Sequence, residues 1–128
     1  MISDINTADT TKLAYIGDAV YEVFVRLRSV DACGRHAQDM NRYTVHYVCA
    51  QSQAKAARGL VNGSYTEEEL SLFRRARNRT NTAHPRGCTP TEYKLATGFE
   101  AVIGWLYISG DNDRLSEITE SAIKIIDE

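Results

Sequence analysis

With 128 residues, 43% of them hydrophobic and 25% charged, the chain has the size and composition of one ordinary globular domain. An odd number of cysteines, three, and the lack of a signal-peptide pattern favour a reducing, cytoplasmic setting, and no apolar run reaches the roughly 20 residues that cross a bilayer. The net charge is only −2, yet residues 74–94 hold six basic residues against one acid. From charge alone, this segment is either a surface for an anionic partner or a solvated basic loop.

Helical periodicity runs through most of the chain, and we find no short β-branched runs bounded by turns, the pattern of strands. The sequence therefore predicts one all-α domain. The expected helices cover residues 11–29, 36–60, 66–78, 91–108 and 113–126. Thr66 is the expected N-cap of the third helix, whose first turn is acidic, and Asn62-Gly63 ends the second. Residues 79–90, rich in Thr, Asn, Pro and Gly, are expected to form a loop.

The first expected helix is apolar on two sides and also carries two acids. Six of its apolar residues cluster on one side of a helical wheel and form the expected core stripe: Leu13, Ile16, Val20, Val23, Phe24 and Leu27. Asp18 and Glu22 lie on the other side, where Ala14, Tyr21 and Val25 flank them. A helix that is apolar on two sides is central in its domain or packs against a second chain, and an acid there must be paired, capped or bound to a cation.

The fourth expected helix repeats this combination of an apolar surface, one acid and one glycine. Its core stripe is Leu95, Phe99, Val102, Ile103 and Leu106. Glu100 lies to one side of this stripe and Gly104 follows one turn later, as Gly17 stands beside Asp18. If the glycines let the two helices approach closely, Asp18 and Glu100 converge, and two carboxylates suit a hard cation such as Mg²⁺. The alternative is that each acid is capped or ion-paired, with Arg26 or Lys94 as a partner.

Three stretches of the sequence resemble one family. The first helix contains LAYIGDAVYEVFVRLR, which resembles the signature helix of the ribonuclease III family. The fourth contains FEAVIGWLYISG, which resembles the second acidic helix of that family. Between them, FRRARNRTNT resembles the basic segment of its short subfamily, Mini-ribonuclease III. The resemblance covers about residues 13–110 and implies an all-α endonuclease domain of about five to seven helices.

The resemblance also implies a catalytic site. Asp18 falls on the aspartate of the signature motif and Glu100 on the glutamate of the second helix, and both acids are metal ligands in the family. We therefore expect them to bind Mg²⁺ and to form the catalytic pair. Two further acids of full-length family members are replaced here by Ala14 and Thr97, as in Mini-ribonuclease III. The expected domain covers residues 1–128, with no double-stranded-RNA-binding domain.

The activity implied by the resemblance is hydrolysis of double-stranded RNA, in maturation of the 23S ribosomal RNA precursor with the help of a large-subunit ribosomal protein. The basic segment predicts RNA contacts from Arg74, Arg75, Arg77, Asn78, Arg79 and Lys94, with the loop of His84 beside them. A duplex has two strands to cut, and the resemblance implies a homodimer. We expect the second apolar side of the first helix, Ala14, Tyr21 and Val25, to form its interface.

Other functions remain open on the residues alone. Two of them use cysteines and histidines: a zinc site from Cys33, His36, His46 and Cys49, and a nucleophilic enzyme from Cys88 and His84. Residues three apart on a helix are often mere neighbours, and no third group can be named that would orient the nucleophile. The main alternative is a helical module that binds RNA without cutting it. The presence of both Asp18 and Glu100 favours the nuclease.

Overall fold

The structure, a computed structural model, describes residues 4–79 and 86–128. Within these ranges the chain forms six helices and no strand, so the predicted all-α class is confirmed. The helices are α1 (Thr10–Cys33), α2 (Ala37–Val48), α3 (Ala50–Val61), α4 (Glu67–Arg79), α5 (Pro90–Ile108) and α6 (Asn112–Asp127). No helix in the described part of the chain is long and apolar enough to span a membrane.

Reciprocal side-chain caps fix where α4 and α5 begin. Thr66 is the N-cap of α4, as expected: its hydroxyl accepts from the Glu69 backbone N–H at 3.1 Å, and the Glu69 carboxylate accepts from the Thr66 N–H at 3.0 Å. Thr89 and Glu92 form the same reciprocal capping box at the start of α5, with both distances near 3 Å. The start of α5 is therefore set by Thr89, near the end of the predicted loop, together with Glu92 of the helix.

The predicted helix over residues 36–60 is two helices, because the chain turns at Cys49. The backbone of Cys49 is extended, with φ −65° and ψ 155°, and ends α2 where α3 starts. A break leaves the last carbonyls of α2 without helical partners. Two side chains of α3 supply donors: the Gln53 amide donates to the Val48 carbonyl at 3.0 Å, and the Ser52 hydroxyl donates to the His46 carbonyl at 2.5 Å.

Helix α5 is the central helix and packs against α1, α3, α4 and α6. Its buried residues lie on nearly all sides: Ala96, Gly98, Phe99, Ala101, Val102, Ile103, Gly104 and Leu106. The small residues among them allow close neighbours. A Cβ on Gly98 would lie 2.7 Å from the ring of Phe73 in α4, and Phe99 meets Tyr21 of α1 edge to face, with ring centroids 4.9 Å apart.

The predicted core stripe of α1 is wrong on its outer side. The buried residues of this helix are Thr10, Leu13, Gly17, Tyr21, Val25 and Ser29. Val23 and Leu27, which we placed in the core, are 58% and 64% exposed. Tyr21 and Val25, which we placed in a dimer interface, are completely buried within the chain, so this interface prediction is also wrong. The reason is Gly17: its close contact with α5 sets the rotation of α1 about its axis.

Candidate active site

Two glycines bring the backbones of α1 and α5 into contact. A Cβ on Gly17 would collide with the carbonyl oxygen of Glu100 and would lie 2.9 Å from the backbone nitrogen of Gly104. A Cβ on Gly104 would collide with the carbonyl oxygen of Leu13. We call this contact the glycine seam. Asp18 directly follows Gly17, and Glu100 lies one turn before Gly104, so the seam brings both acids to one place, as the sequence predicts.

The carboxyl groups of Asp18 and Glu100 interact directly. The pKa of Glu100 is raised to about 9, mainly by burial and in addition by a hydrogen bond to Asp18 and by the charge of Asp18. A hydrogen bond from Gln53 acts in the opposite direction. In the described part of the chain, no basic side chain lies within ion-pair distance of either carboxylate. In the absence of a cation, Glu100 therefore keeps its proton at neutral pH.

A cavity of about 460 Å³ opens beside the pair. Asp18 is exposed and Glu100 is half-buried, and both line it. Ala14 and Thr97 line the same cavity, and the Thr97 hydroxyl donates to the Tyr93 carbonyl of its own helix at 3.0 Å. Within the described ranges, no group of three or more His, Cys, Asp or Glu side chains could hold a metal ion. The cavity thus offers two carboxylates, next to short uncharged side chains.

The arginines of the basic segment at the end of α4 lie in different surroundings. Arg75 donates from Nη2 to the carbonyls of Ile5 and Ala8, at 2.7 and 3.2 Å, and thereby fastens the stretch before α1. The half-buried Arg75 guanidinium is thus bound to the fold through Nη2, a structural role that the sequence did not predict. Arg74, one residue earlier, is exposed. The difference follows from the helix geometry of α4, which turns neighbouring residues by about 100°.

The remaining predicted RNA contacts lie near the end of α4 and the start of α5. Arg79 is exposed and lines the cavity of the acid pair. The Arg77 guanidinium carbon lies 5.9 Å from the ring centroid of Phe73, and its Nε donates to the exposed Asn78 side chain at 3.1 Å. Lys94 is half-buried on α5. His84 lies outside the described residues.

Comparison with known proteins decides the family. The ribonuclease III domain family matches residues 11–111. The chain belongs to the ribonuclease III family. It is 40% identical to the Mini-ribonuclease 3 of Symbiobacterium thermophilum over 115 residues, which are 90% of this chain and 88% of that protein. It is 45% identical to the Mini-ribonuclease 3 of Gloeobacter violaceus over 106 residues, 83% of this chain and 76% of that one.

The fold comparison agrees with the sequence comparison. The crystal structure of a Fusobacterium nucleatum protein superposes with a TM-score of 0.84 at 31% identity, and the match covers 96% of this chain and 98% of that one. The predicted Mini-ribonuclease III resemblance and the predicted enzyme class, endoribonuclease, are thereby confirmed. Double-stranded RNA is the substrate class of the ribonuclease III family.

One residue of this ribonuclease III site was missed at the sequence level. Gln53 of α3 is only 2% exposed, and its amide faces Glu100. It belongs to no recognisable motif and stands in the alanine-rich stretch AQSQAKAARG. The only available signal was a glutamine at a core position of this helix, because Ala56, Ala57 and Leu60 are buried on the same helix.

Proposed function

We propose that the chain is a Mg²⁺-dependent endoribonuclease that cleaves double-stranded RNA, with Asp18 and Glu100 as its metal-binding acids. The observation that carries this proposal is the direct interaction of the two carboxyl groups across the glycine seam, in an open cavity. Mg²⁺ in phosphate-processing sites is bound by one or two carboxylates, by water and by substrate phosphate. The raised pKa of Glu100 supports the fit, because a divalent cation can take the place of its proton beside Asp18.

The residues of the cavity have distinct roles in this proposal. Bound Mg²⁺ would lower the pKa of a coordinated water and offset the charge that develops on the phosphate. Asp18, the more exposed acid, faces incoming RNA, whereas Glu100 is held in place by its half-buried position on α5. Arg79 provides a guanidinium fork on the same cavity, a group suited to phosphate oxygens. Ala14 and Thr97 leave space for water.

We propose that the catalytic domain holds the duplex with its own basic surface. Arg74, Asn78 and Arg79 are exposed on the last turns of α4, and Arg79 connects this surface to the acid pair. Double-stranded RNA is recognised largely through phosphates and 2′-hydroxyls across its shallow minor groove, which demands donors and cations rather than base-specific contacts. A basic surface beside an acidic cavity meets that demand.

We also propose a homodimer, through a face of α1 different from the one predicted. Val23, Leu27 and Val30 are more than half exposed on α1, and so is Tyr107 of α5. Val23 and Tyr107 line an apolar cavity of about 550 Å³, which Asp18 borders. A second copy covering this face would place two acid pairs at the edges of one interface, one for each strand of a duplex.

Sedimentation tests the dimer. Leu27→Glu places a charge on the proposed interface and should convert the protein to monomers, because an unpaired charge is costly to bury. Lys124→Glu, an exposed charge reversal on α6, is the matched control and should leave the assembly unchanged. A Leu27→Glu protein that remains dimeric would show that the subunits meet elsewhere.

The physiological role rests on the Mini-ribonuclease III relationship. We propose that the substrate is the 23S ribosomal RNA precursor in the cytoplasm, with a large-subunit ribosomal protein as a helper. Mapping the ends of total RNA after incubation with the protein tests this assignment. Cuts that cluster in other transcripts would contradict it.

Cleavage of duplex RNA tests the activity. The protein should cut a duplex with Mg²⁺ present and not with EDTA, and Asp18→Asn should reduce the rate by about a thousandfold or more, because a metal contributes several kcal/mol to the transition state. Asp31→Asn, an exposed acid on the same helix, is the control and should cut normally. Binding of the duplex without any cleavage would instead indicate the non-cutting RNA-binding module.

A further inference from the structure

Gln53 is a buried polar side chain with incomplete hydrogen bonding. It is 2% exposed, and its Nε2 donates to the Val48 carbonyl at 3.0 Å. Its Oε1 is buried, and no atom in the described ranges donates to it. A buried polar atom without a partner costs free energy, so the fold alone gives little reason for a glutamine here. A methionine would fill a similar volume without that cost.

The same amide interacts with the acid pair. Gln53 acts on Glu100 as a hydrogen-bond donor and thereby lowers the pKa of that carboxyl group, while its partner at hydrogen-bond distance is the Val48 carbonyl. Helix α3 packs on α5, whereas Asp18 reaches Glu100 from α1. The Glu100 carboxyl group is therefore contacted from two helices, by an amide on one and by a carboxyl group on the other.

An amide nitrogen has two N–H groups, so Gln53 can serve two acceptors at once. One acceptor is the Val48 carbonyl, which the break at Cys49 leaves without a helical partner. The other is Glu100. Since the Val48 carbonyl belongs to the backbone, it fixes the orientation of the amide, and the amide in turn restricts rotation of the Glu100 carboxylate.

We infer that Gln53 is a positioning residue, whose amide holds the Glu100 carboxylate in the orientation that binds the cation. The inference rests on the metal site proposed above. Carboxylates that ligate metals are commonly fixed by hydrogen bonds from neighbouring groups, and loss of such a group typically weakens metal affinity or activity by about 10- to 100-fold. Gln53 does not line the cavity and does not touch RNA in this arrangement, so it acts through Glu100.

Direct Mn²⁺ binding in the absence of RNA tests the inference, measured by electron paramagnetic resonance at constant pH. Gln53→Met should weaken Mn²⁺ binding by about tenfold or more, with a thermal midpoint close to that of the parent protein, because one unsatisfied atom is removed along with one hydrogen bond. Gln53→Asn, which keeps the amide but shortens its reach, should show the same weakening. Gln51→Met is the control: Gln51 is exposed on the same helix and donates to the Gly87 carbonyl, away from the acids.

A double-mutant cycle separates positioning from a general effect on the fold. In a Glu100→Gln background, Gln53→Met should cause no further loss of Mn²⁺ affinity, because the group it positions is gone. Equal Mn²⁺ affinity of Gln53→Met, Gln53→Asn and the parent protein would overturn the inference, and so would an equal loss in both backgrounds. Failure of the parent protein to bind Mn²⁺, or unchanged binding by Asp18→Asn, would overturn the metal site together with the inference.

Discussion

The glycine seam and the basic end of α4 are both sequence signals for function, but they are built differently. At the seam, backbone meets backbone, so the places of Asp18 and Glu100 follow from the packing of two helices. Along α4, four arginines within six residues point in different directions, and each has its own surroundings. Arg75 binds backbone carbonyls, whereas Arg79 borders the cavity.

This difference shows which kinds of pattern specify a site. When two apolar helices each carry a glycine near an acid, the glycines predict a close contact between the helices. That contact in turn determines where the two acids lie. A run of like charges predicts that a segment is basic, but it does not predict which partner each side chain contacts. One of the four arginines is consequently part of the fold, although its charge is the same as that of the others.

The largest effect on stability and on RNA cleavage is expected from substitution of a glycine in the glycine seam. Gly17→Ala places a methyl group against the Glu100 carbonyl oxygen, which belongs to the backbone of the central helix and cannot move aside. We expect destabilisation of about 4 kcal/mol or more, at the extreme of single substitutions, and loss of RNA cleavage. Urea unfolding and a cleavage assay measure the two effects.

Gly59→Ala is the matched control for that experiment. A Cβ there meets only side-chain atoms of Ile125, the nearest at 2.7 Å, and these can move. Alanine also has the higher helix propensity, by about 1 kcal/mol, so the net change should be small. Similar destabilisation by the two substitutions would contradict the distinction between a backbone seam and ordinary packing.

Smaller effects are expected from substitution of the arginines. One substitution should lower the cleavage rate and the other should lower the stability of the fold. Arg79→Ala should lower the cleavage rate by about 10- to 100-fold at unchanged stability, since a charged hydrogen bond contributes about 1.5–3 kcal/mol. Arg75→Ala should cost a similar free energy of unfolding and leave the cleavage rate of the folded protein unchanged. Single-turnover cleavage and urea unfolding of both variants provide the measurements.

Arg74→Ala completes this comparison. Arg74 is exposed and makes no described hydrogen bond, so its loss should weaken duplex binding and reduce the slope of log affinity against log salt by about one unit or less. If Arg75→Ala changed that slope while stability stayed constant, Arg75 would contact RNA after all.

A further effect is a pH dependence of stability in the cation-free protein. The folded chain raises the pKa of Glu100 to about 9 from its ordinary value of 4.5, so the folded state holds a proton that the unfolded state has released between these values. Stability from this group is therefore full below about pH 4.5 and declines as the pH rises toward about 9. Urea unfolding in EDTA at about pH 6 and about pH 8 should show the decline, and Glu100→Gln should reduce it. A decline that is unchanged or steeper in Glu100→Gln would contradict the assignment.

Much of the fold and the acid pair could be predicted from the sequence, because periodicity and glycine placement are local signals. The rotation of α1 could not, since the helix is apolar on two sides and hydrophobicity does not decide which of them is buried. The larger aliphatic side chains led us to predict that their face is the buried one. The contact at Gly17 instead buries the face that carries Tyr21 and Val25. The break at Cys49 was missed for a similar reason: it depends on side-chain donors of α3, not on a Gly or Pro.

The glycine seam also constrains how such a site can diverge. A side chain at Gly17 or Gly104 would meet the partner helix's main chain, so no second substitution on that helix can compensate for it. Compensating substitutions in the two helices, which usually allow packed interfaces to change during evolution, are therefore not possible at these two positions. Ala14 and Thr97 face the cavity, where a new side chain meets open space. A lineage can therefore gain or lose acids around this site one at a time, while the central pair keeps its place.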